Sequence, residues 1–574
     1  MTRAILAAMV LATVGVNLWW LATNRRGYPF DIDESGYLSR ALTDGELLRN
    51  EGIRALAVHV HGPDPQAPLL PVTAGVVHAV TGVGPVGMMA IQQLFYAVLL
   101  VSTFFIAQHL GGRVQALVAT AMVGACPGLI DTSRSFGFGL VAAAMVTATL
   151  AVQLWAGTFD RWPRALAWGV VLGLAALSRT MVLGVLPGLV LAAGIRVSAP
   201  GRRTVRVTAL AGGLLVGFAV AWSWYSASWR NVEQYLSSFG YGAAAASYGK
   251  PLSVLSLGWW IARADTLVNS TLLAPLAVAV VACLVVALVM AVHWYTAGQD
   301  GAAVGVSRSS PSRVGGVVGW LRGDSGTVFV VLAWSYLALS STSNIGSGFV
   351  YVLAPPLIVL SVAAVSCALD RHRGAQGWAM TALAVVAAAS FVADSWPVAT
   401  SGPVTVSLAG WRVQVVNDEG TLRAVLTGDV PDQHLSTATV DRELHAEVRA
   451  AQTIADLVER GETPGSPPTV VALATSDQFV NVNSVGLDLQ EMAGAAPEVT
   501  LLYNPGGAVT SLARQVSEVG VVVVGPNSPL HRLRNFLTVT HPMAVVPLLP
   551  AAGFHRVGSV GLPDGRVLQV WAKE

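Results

Sequence analysis

Charge is what this sequence has least of. Only 11% of its 574 residues are Asp, Glu, Lys or Arg, where a soluble protein carries about 25%. Lysine is nearly missing, with Lys250 and Lys573 alone among 34 basic residues. The net charge of +2 provides no basic face of the kind that binds nucleic acid, so no nucleic-acid partner is expected. Cysteine is scarce too. Cys126, Cys283 and Cys367 all fall inside apolar runs, where they read as small core residues and not as a disulfide or zinc framework. No Walker A run occurs, so nothing calls for a P-loop nucleotide-binding fold.

What the chain has instead is hydrocarbon. It is 53% hydrophobic with a mean hydropathy of +0.60, and long uncharged runs recur from Ile5 to Phe391. Such runs are transmembrane helices. They lie near 4–22, 86–110, 114–130, 138–157, 164–178, 181–195, 205–227, 268–294, 326–342, 349–368 and 376–394, or about eleven spans. The first has no small-residue cleavage site after it and reads as a retained helix rather than a signal peptide. Arg113, Arg161 with Arg164, Arg196 to Arg206, Arg308 to Arg322, and Arg371 with Arg373 fall in alternate connections. The positive-inside rule makes those connections cytoplasmic. The N-terminus is then cytoplasmic, and the first loop (23–85) and everything after the last span lie outside the cell membrane.

The expected fold is an α-helical polytopic membrane domain over 1–397 and an extracytoplasmic soluble α/β domain over 398–574. In the second, "TVVALAT", "VTLLYN" and "VGVVVVGP" are short apolar runs bounded by turn residues, as buried strands are. "SLARQVSEV" reads as a crossover helix, and "TATVDRELHAEVRAAQTIADLVERG" has helical periodicity. "NPGG" and "GPNSP" read as ordinary turns. Within the first loop, "QAPLLPVTAGVVHAVTGVGP" (66–85) is apolar but barely of spanning length, and counting it as a span would invert every later arginine loop. It reads as a re-entrant or interfacial helix. The segment 228–267 is rich in Trp and Tyr, fitting either an interfacial anchor or a substrate-contacting loop.

Three acids, Asp31, Asp33 and Glu34, crowd into "YPFDIDESGYLSRAL" directly after the first span. Acids at a membrane mouth bind metal, relay ions, supply a general base, or are merely solvated. The helix-like sequence that follows would hold Asp33 and Glu34 at a helix N-terminus, where the dipole favours negative charge; Asp31 reads as a solvated neighbour. Tyr37 follows one turn later. Arg134 in "DTSRSFG" and Arg179 in "LSRT" are lone cations in apolar surroundings. An arginine there snorkels, is salt-bridged, or meets an anion such as a lipid-linked phosphate. His59 and His61 form "HVH", whose spacing on a strand would allow metal binding or a polar substrate contact.

Taken in order, these features resemble the GT-C superfamily of integral-membrane glycosyltransferases, within it the lipid A aminoarabinose transferase and protein O-mannosyltransferase group. "DESGYLSRAL" is similar to that group's D-E-x-x-Y-x-x-x-A stretch, and "QAPLLPVTAGVVHAVTGVGP" to its basic-P-P-L helix. "AQHLGGRVQALVATAMVGACPGLIDTSRS", "GLAALSRTMVLGVLPGLVL" and "SGFVYVLAPPLIVLSVAA" follow in the group's order. The resemblance covers about 1–395. It implies a polyprenyl-phosphate sugar donor, an external site, Asp33 then Glu34 as catalytic or acceptor-positioning carboxylates, and Arg134 and Arg179 on the donor phosphate. Tyr37, His59 and His61 join them as candidate substrate contacts. The sequence departs from the group at "FGFG", Gln66 and Val350-Tyr351, which favours a more distant subgroup of the kind of the actinobacterial cell-wall transferases that use decaprenyl-phosphate sugars. No cofactor is required by this reading, a divalent metal stays open, and the acceptor is a glycan, lipid or protein hydroxyl. The rival readings are a transporter or flippase of lipid-linked sugars and a non-catalytic cell-envelope assembly protein.

Overall fold

The computed structural model describes residues 1–25, 30, 32–199, 201–242, 245, 256–302, 319–344, 346–395, 404–408, 411–416, 449–456, 470–475, 480–493, 499–502, 509–526, 542–562 and 565–573. In chain order the first helices are α1 (Thr2–Asn24), α2 (Ile32–Asn50), α3 (Ile53–Val60), α4 (Leu69–Thr81), α5 (Pro85–Met89) and α6 (Ile91–Gly111). Then come α7 (Arg113–Gly124), α8 (Pro127–Ser133), α9 (Phe138–Ala156), α10 (Trp162–Ala176), α11 (Leu186–Val197) and α12 (Arg203–Leu236). The helical part ends with α13 (Leu257–Leu267), α14 (Leu273–Ala302), α15 (Asp324–Ser340), α16 (Ala354–Ala368) and α17 (Arg373–Ser395).

Among the described residues eight helices are long and apolar enough to cross a membrane, and nine if the pair α7–α8, bent by 63°, is one span. The bend falls at Pro127, the first residue of α8, where the missing N–H and the ring interrupt the helix. The shorter apolar helices α10 and α15 occupy two further expected spans. Each of the eleven expected segments therefore coincides with an apolar helix, and the chain is a multi-pass membrane protein. Helix α4, at 13 residues, is about 20 Å long. That is shorter than the roughly 30 Å hydrocarbon core. Helix α12 errs the other way: its 34 residues reach about 51 Å, so the first part of the 228–267 segment, residues 228–236, prolongs a span. Cys126 and Cys283 are buried, whereas Cys367 is exposed on its helix and is not a core residue.

The chain divides into two compact units, and the division differs from the expected boundary at 397/398. The larger unit holds 1–20, 53–73 and 90–425; the smaller holds 21–52, 74–89 and 426–574. Two pieces of the first loop thus belong with the C-terminal segment, while a hairpin of β1 (Val404–Leu408) and β2 (Trp411–Val416) stays with the helices.

Inside the larger unit α10 lies on α12, and α6 on α9 and α7. The α10–α12 approach is closest at two G-x-x-x-G stripes, Gly169/Gly173 and Gly213/Gly217. A Cβ on Gly169 would stand 2.0 Å from the Gly213 carbonyl oxygen, and one on Gly173 2.7 Å from that of Gly217. Small residues let membrane helices pack backbone to backbone, since lipid supplies no hydrophobic drive for their association.

The smaller unit is built on a five-stranded sheet of order β4-β3-β5-β7-β6. Its strands are β3 (Val471–Leu473), β4 (Val499–Leu501), β5 (Val521–Val524), β6 (Phe554–Gly561) and β7 (Val567–Lys573). β3 pairs in parallel with β4 and β5, and β7 runs antiparallel to β5 and β6. α18 (Val482–Ala493) follows β3, and α19 (Val509–Ser517) is the crossover between β4 and β5. Side chains alternate across the strands. Val471, Leu473, Val521 and Val523 face a core with the helical segment 449–456 and with Val485 and Leu489 of α18. Ala472, Ala474, Val522 and Val524 face Leu512 and Val516 of α19 on the other side. Both faces are covered, which is why these strands read as unbroken apolar runs. The "NPGG" turn, and "GPNSP" beyond Pro526, lie outside the described residues, as does Asp31.

Candidate active site

The acids of the first loop are placed by the start of α2, in the smaller unit. Asp33 and Glu34 occupy its first turn, so the N-terminal dipole stabilises both charges. Their surroundings then separate them. Glu34 turns inward, its Oε2 accepting from Arg25 Nη2 at 2.7 Å, with the two side chains 6% and 0% exposed. The Arg25 guanidinium also sits 5.1 Å from the centre of the Phe30 ring. A buried pair of this kind is strongly destabilised when one partner is removed, because the other charge stays desolvated. Glu34 therefore closes the loop onto α2 and is not available as an open base. Asp33 is exposed, and Tyr37, four residues on and half-buried, shares its side of the helix.

The arginines of the larger unit also divide. Arg134 has no exposed surface. Its Nε donates to Asn17 Oδ1 at 3.0 Å and its Nη2 to Ser395 Oγ at 3.0 Å, and the guanidinium lies 4.9 Å from the Trp20 ring centre. The carboxylates of Asp131 and Asp394 favour its charge against the larger cost of burial. It ties α1, α8 and α17 together, a different position from the open phosphate contact expected of it.

Arg179 is half-buried between α10 and a 3-10 turn at Thr180–Gly184. Its Nη1 donates to the Gly348 carbonyl at 2.6 Å, and the guanidinium stands 4.2 Å over the Phe349 ring. A second arginine grips the same stretch of chain from its other end. Arg263, on α13, donates from Nη2 to the carbonyls of Leu339 at 2.6 Å and Asn344 at 2.7 Å. Trp259 Nε1 donates to the neighbouring Ser340 carbonyl, and Tyr336 returns a bond to the Trp260 carbonyl at 2.6 Å. Arg263 is fully buried, yet its Nε and Nη1 meet no acceptor among the described residues. Buried donors are nearly always paired, and the described residues supply no acceptor for these two. Sequence reasoning does not single it out, because "GWWIARAD" reads only as part of a segment fitting either an interfacial anchor or a substrate-contacting loop. The usable signal was a lone cation within a Trp-rich apolar helix.

His59 and His61 do not sit on a strand. His59 lies in the last turn of α3 (Ile53–Val60) and His61 just beyond its end. His61 Nδ1 lies 2.8 Å from the Ser223 carbonyl on α12. Among the described residues no group of three or more His, Cys, Asp and Glu could hold a metal ion, so these donors do not fit a metal centre.

No protein-family model and no curated protein matches the sequence. Solved structures do. The chain is similar to ArnT from Cupriavidus metallidurans bound to undecaprenyl phosphate, at a TM-score of 0.56 and 13% identity, covering 99% of this chain and 97% of that one. The apo form of the same protein gives a TM-score of 0.54 with the same identity and coverage. An Archaeoglobus fulgidus oligosaccharyltransferase in complex with Zn and sulfate follows at 0.47 and 13% identity, over 91% of this chain and 67% of that one. At such identity the likeness is one of fold. From its first helix to its C-terminal sheet the chain is similar in fold to ArnT.

Proposed function

We propose that this chain is a membrane glycosyltransferase that moves a sugar from a polyprenyl-phosphate donor to an acceptor hydroxyl on the extracytoplasmic side. The observation that carries the proposal is Asp33, an exposed carboxylate opening the first-loop helix of a chain with the fold of ArnT. ArnT binds undecaprenyl phosphate, and a donor of that class brings its sugar already activated as a phosphate ester.

In the proposed reaction Asp33 takes the proton of the acceptor hydroxyl as its oxygen attacks the anomeric carbon. The bond from that carbon to the phosphate oxygen breaks, and the electron pair leaves with the polyprenyl phosphate. Arg179 and Arg263 hold that phosphate, since guanidinium donors match phosphate oxygens in pairs. Tyr37 lines the acceptor side, next to Asp33 on α2. Glu34 and Arg134 act indirectly, the first by closing the loop onto α2 and the second by joining three helices. The arginine-rich connections keep the N-terminus cytoplasmic and place the C-terminal segment outside. The acceptor is a glycan, lipid or protein of the cell envelope.

Purified protein in detergent or nanodiscs, supplied with a panel of polyprenyl-phosphate sugars, is expected to release polyprenyl phosphate in step with sugar transfer. Nucleotide sugars are expected to give none. An inert protein on every lipid donor, or transfer from the nucleotide sugars, would rule the proposal out.

A further inference from the structure

Helix α18 of the sheet domain lies along α2 of the first loop, and the two faces match at two levels. At one level a single amide bridges successive turns of α2. Ser39 Oγ donates to Gln490 Oε1 at 2.8 Å, and Gln490 Nε2 donates to Thr43 Oγ1 at 3.2 Å. Gln490 is 2% exposed, so both ends of its amide are satisfied away from water. At the other level Gly36 lets α18 approach: a Cβ there would stand 2.9 Å from Asn483 Nδ2. Residues 36, 39 and 43 share one stripe of α2, and 483 and 490 are seven apart on α18, close to two turns. Two fixed points about 10 Å apart along the axis set both the height and the rotation of α2. Asp33 lies three residues before Gly36 on this helix.

We propose that Gln490 is a positioning residue, with Gly36 leaving the room against Asn483 that lets α18 close on α2: the C-terminal sheet domain sets the placement of the helix that presents Asp33. The domain is then a working part of the transfer machinery and not a separate module for acceptor capture. The inference rests on the reading of Asp33 as the base. A shift of about 1 Å in a catalytic group can cost on the order of 100-fold in rate, so the dock is read in turnover rather than in donor affinity.

The test uses the full-length protein and two independent breaks in the dock. Gly36→Ala strengthens the intrinsic helix propensity of α2 while driving a methyl group into Asn483. Since the Asn483 side-chain end can yield part of the way, it is expected to lower kcat by up to about 10-fold with the donor KM and the thermal midpoint unchanged. Gly36→Ala/Asn483→Ala removes the collision and is expected to return to near wild-type turnover. Gln490→Ala is expected to lower kcat similarly and to lose hydrogen-exchange protection over 32–50, while α6 and α9 keep theirs. Full turnover in both single variants, or a double variant as slow as Gly36→Ala alone, overturns the proposal. Should Gln490→Ala unfold the domain, the Gly36/Asn483 pair still decides it. Asp33→Asn separates the two levels. If that variant is inactive while both dock variants are normal, only the positioning role falls. If it is fully active, the reading of Asp33 falls and takes this inference with it.

Discussion

Arg134 and Arg263 are both fully buried arginines in the helical unit, yet their settings are opposite. Arg134 meets side-chain oxygens of Asn17 and Ser395, with the carboxylates of Asp131 and Asp394 close enough to balance its charge. Arg263 is held from one nitrogen by backbone carbonyls at the end of α15, while its Nε and Nη1 meet no acceptor among the described residues. Burial alone therefore does not identify a ligand contact. A compensated guanidinium serves as a rivet, and one left with free donors suits an incoming anion.

The largest effect that would sharpen this contrast is structural. Arg134→Gln strands Asp131 and Asp394 in the helix junction, and removing one partner of buried charges costs about 3–5 kcal/mol. The detergent-solubilised protein should lose yield and show a thermal midpoint far below wild type. If it stays stable and only its donor KM rises, Arg134 is a phosphate contact after all and the contrast breaks. Arg179→Gln should do the reverse, raising the donor KM roughly 10-fold or more, as the loss of a charge-assisted contact of about 1.5–3 kcal/mol implies, with little change in thermal midpoint. Steady-state kinetics over a donor series checks it. Stability lost at unchanged KM would move Arg179 into the class of Arg134.

The smallest effect concerns the sheet domain, where a carboxyl rather than a guanidinium is buried. Burial, with Glu491 beside it, pushes the Asp488 carboxyl up to about 7. Its unfolded value is about 3.9, so the folded state binds the extra proton between those values. Stability is then greatest at low pH and is lost as pH rises from about 4 towards 7. Asp488→Asn should flatten this dependence and raise the midpoint of the domain at pH 8 by roughly 2–4 °C. A variant that melts with the wild-type pH profile would contradict the assignment.

Much of the fold is written in the sequence because the bilayer demands it. The apolar runs of near-spanning length fall on apolar helices among the described residues, since an exposed backbone in lipid has no other way to pair. β3, β4 and β5 were legible as dense Val and Leu runs. β6 and β7 were not, because "FHRVGSVG" and "VLQVWAK" intersperse polar or glycine residues among their apolar ones, so neither reads as an apolar run. The acidic helix start was legible, but the split between its two acids was not. It depends on Arg25 folding back across nine residues to Glu34, a contact no local pattern encodes. "HVH" misled for a related reason: a two-residue spacing implies a shared face only on a strand, and "IRALAVHV" is a helix. The α2–α18 dock joins positions about 450 apart, 39 and 490, so the expected boundary at 397/398 missed it.

The account turns on Asp33, and the most direct measurement compares Asp33→Asn with Glu34→Gln in sugar transfer by the purified full-length protein. Asp33→Asn should lower kcat by roughly 100- to 10,000-fold, the usual contribution of a general base, with donor binding and thermal midpoint intact. Glu34→Gln should mainly lower the midpoint by breaking the ion pair with Arg25 and retain catalysis in the molecules that stay folded. Full turnover by Asp33→Asn, or a stable Glu34→Gln protein without chemistry, would contradict the account.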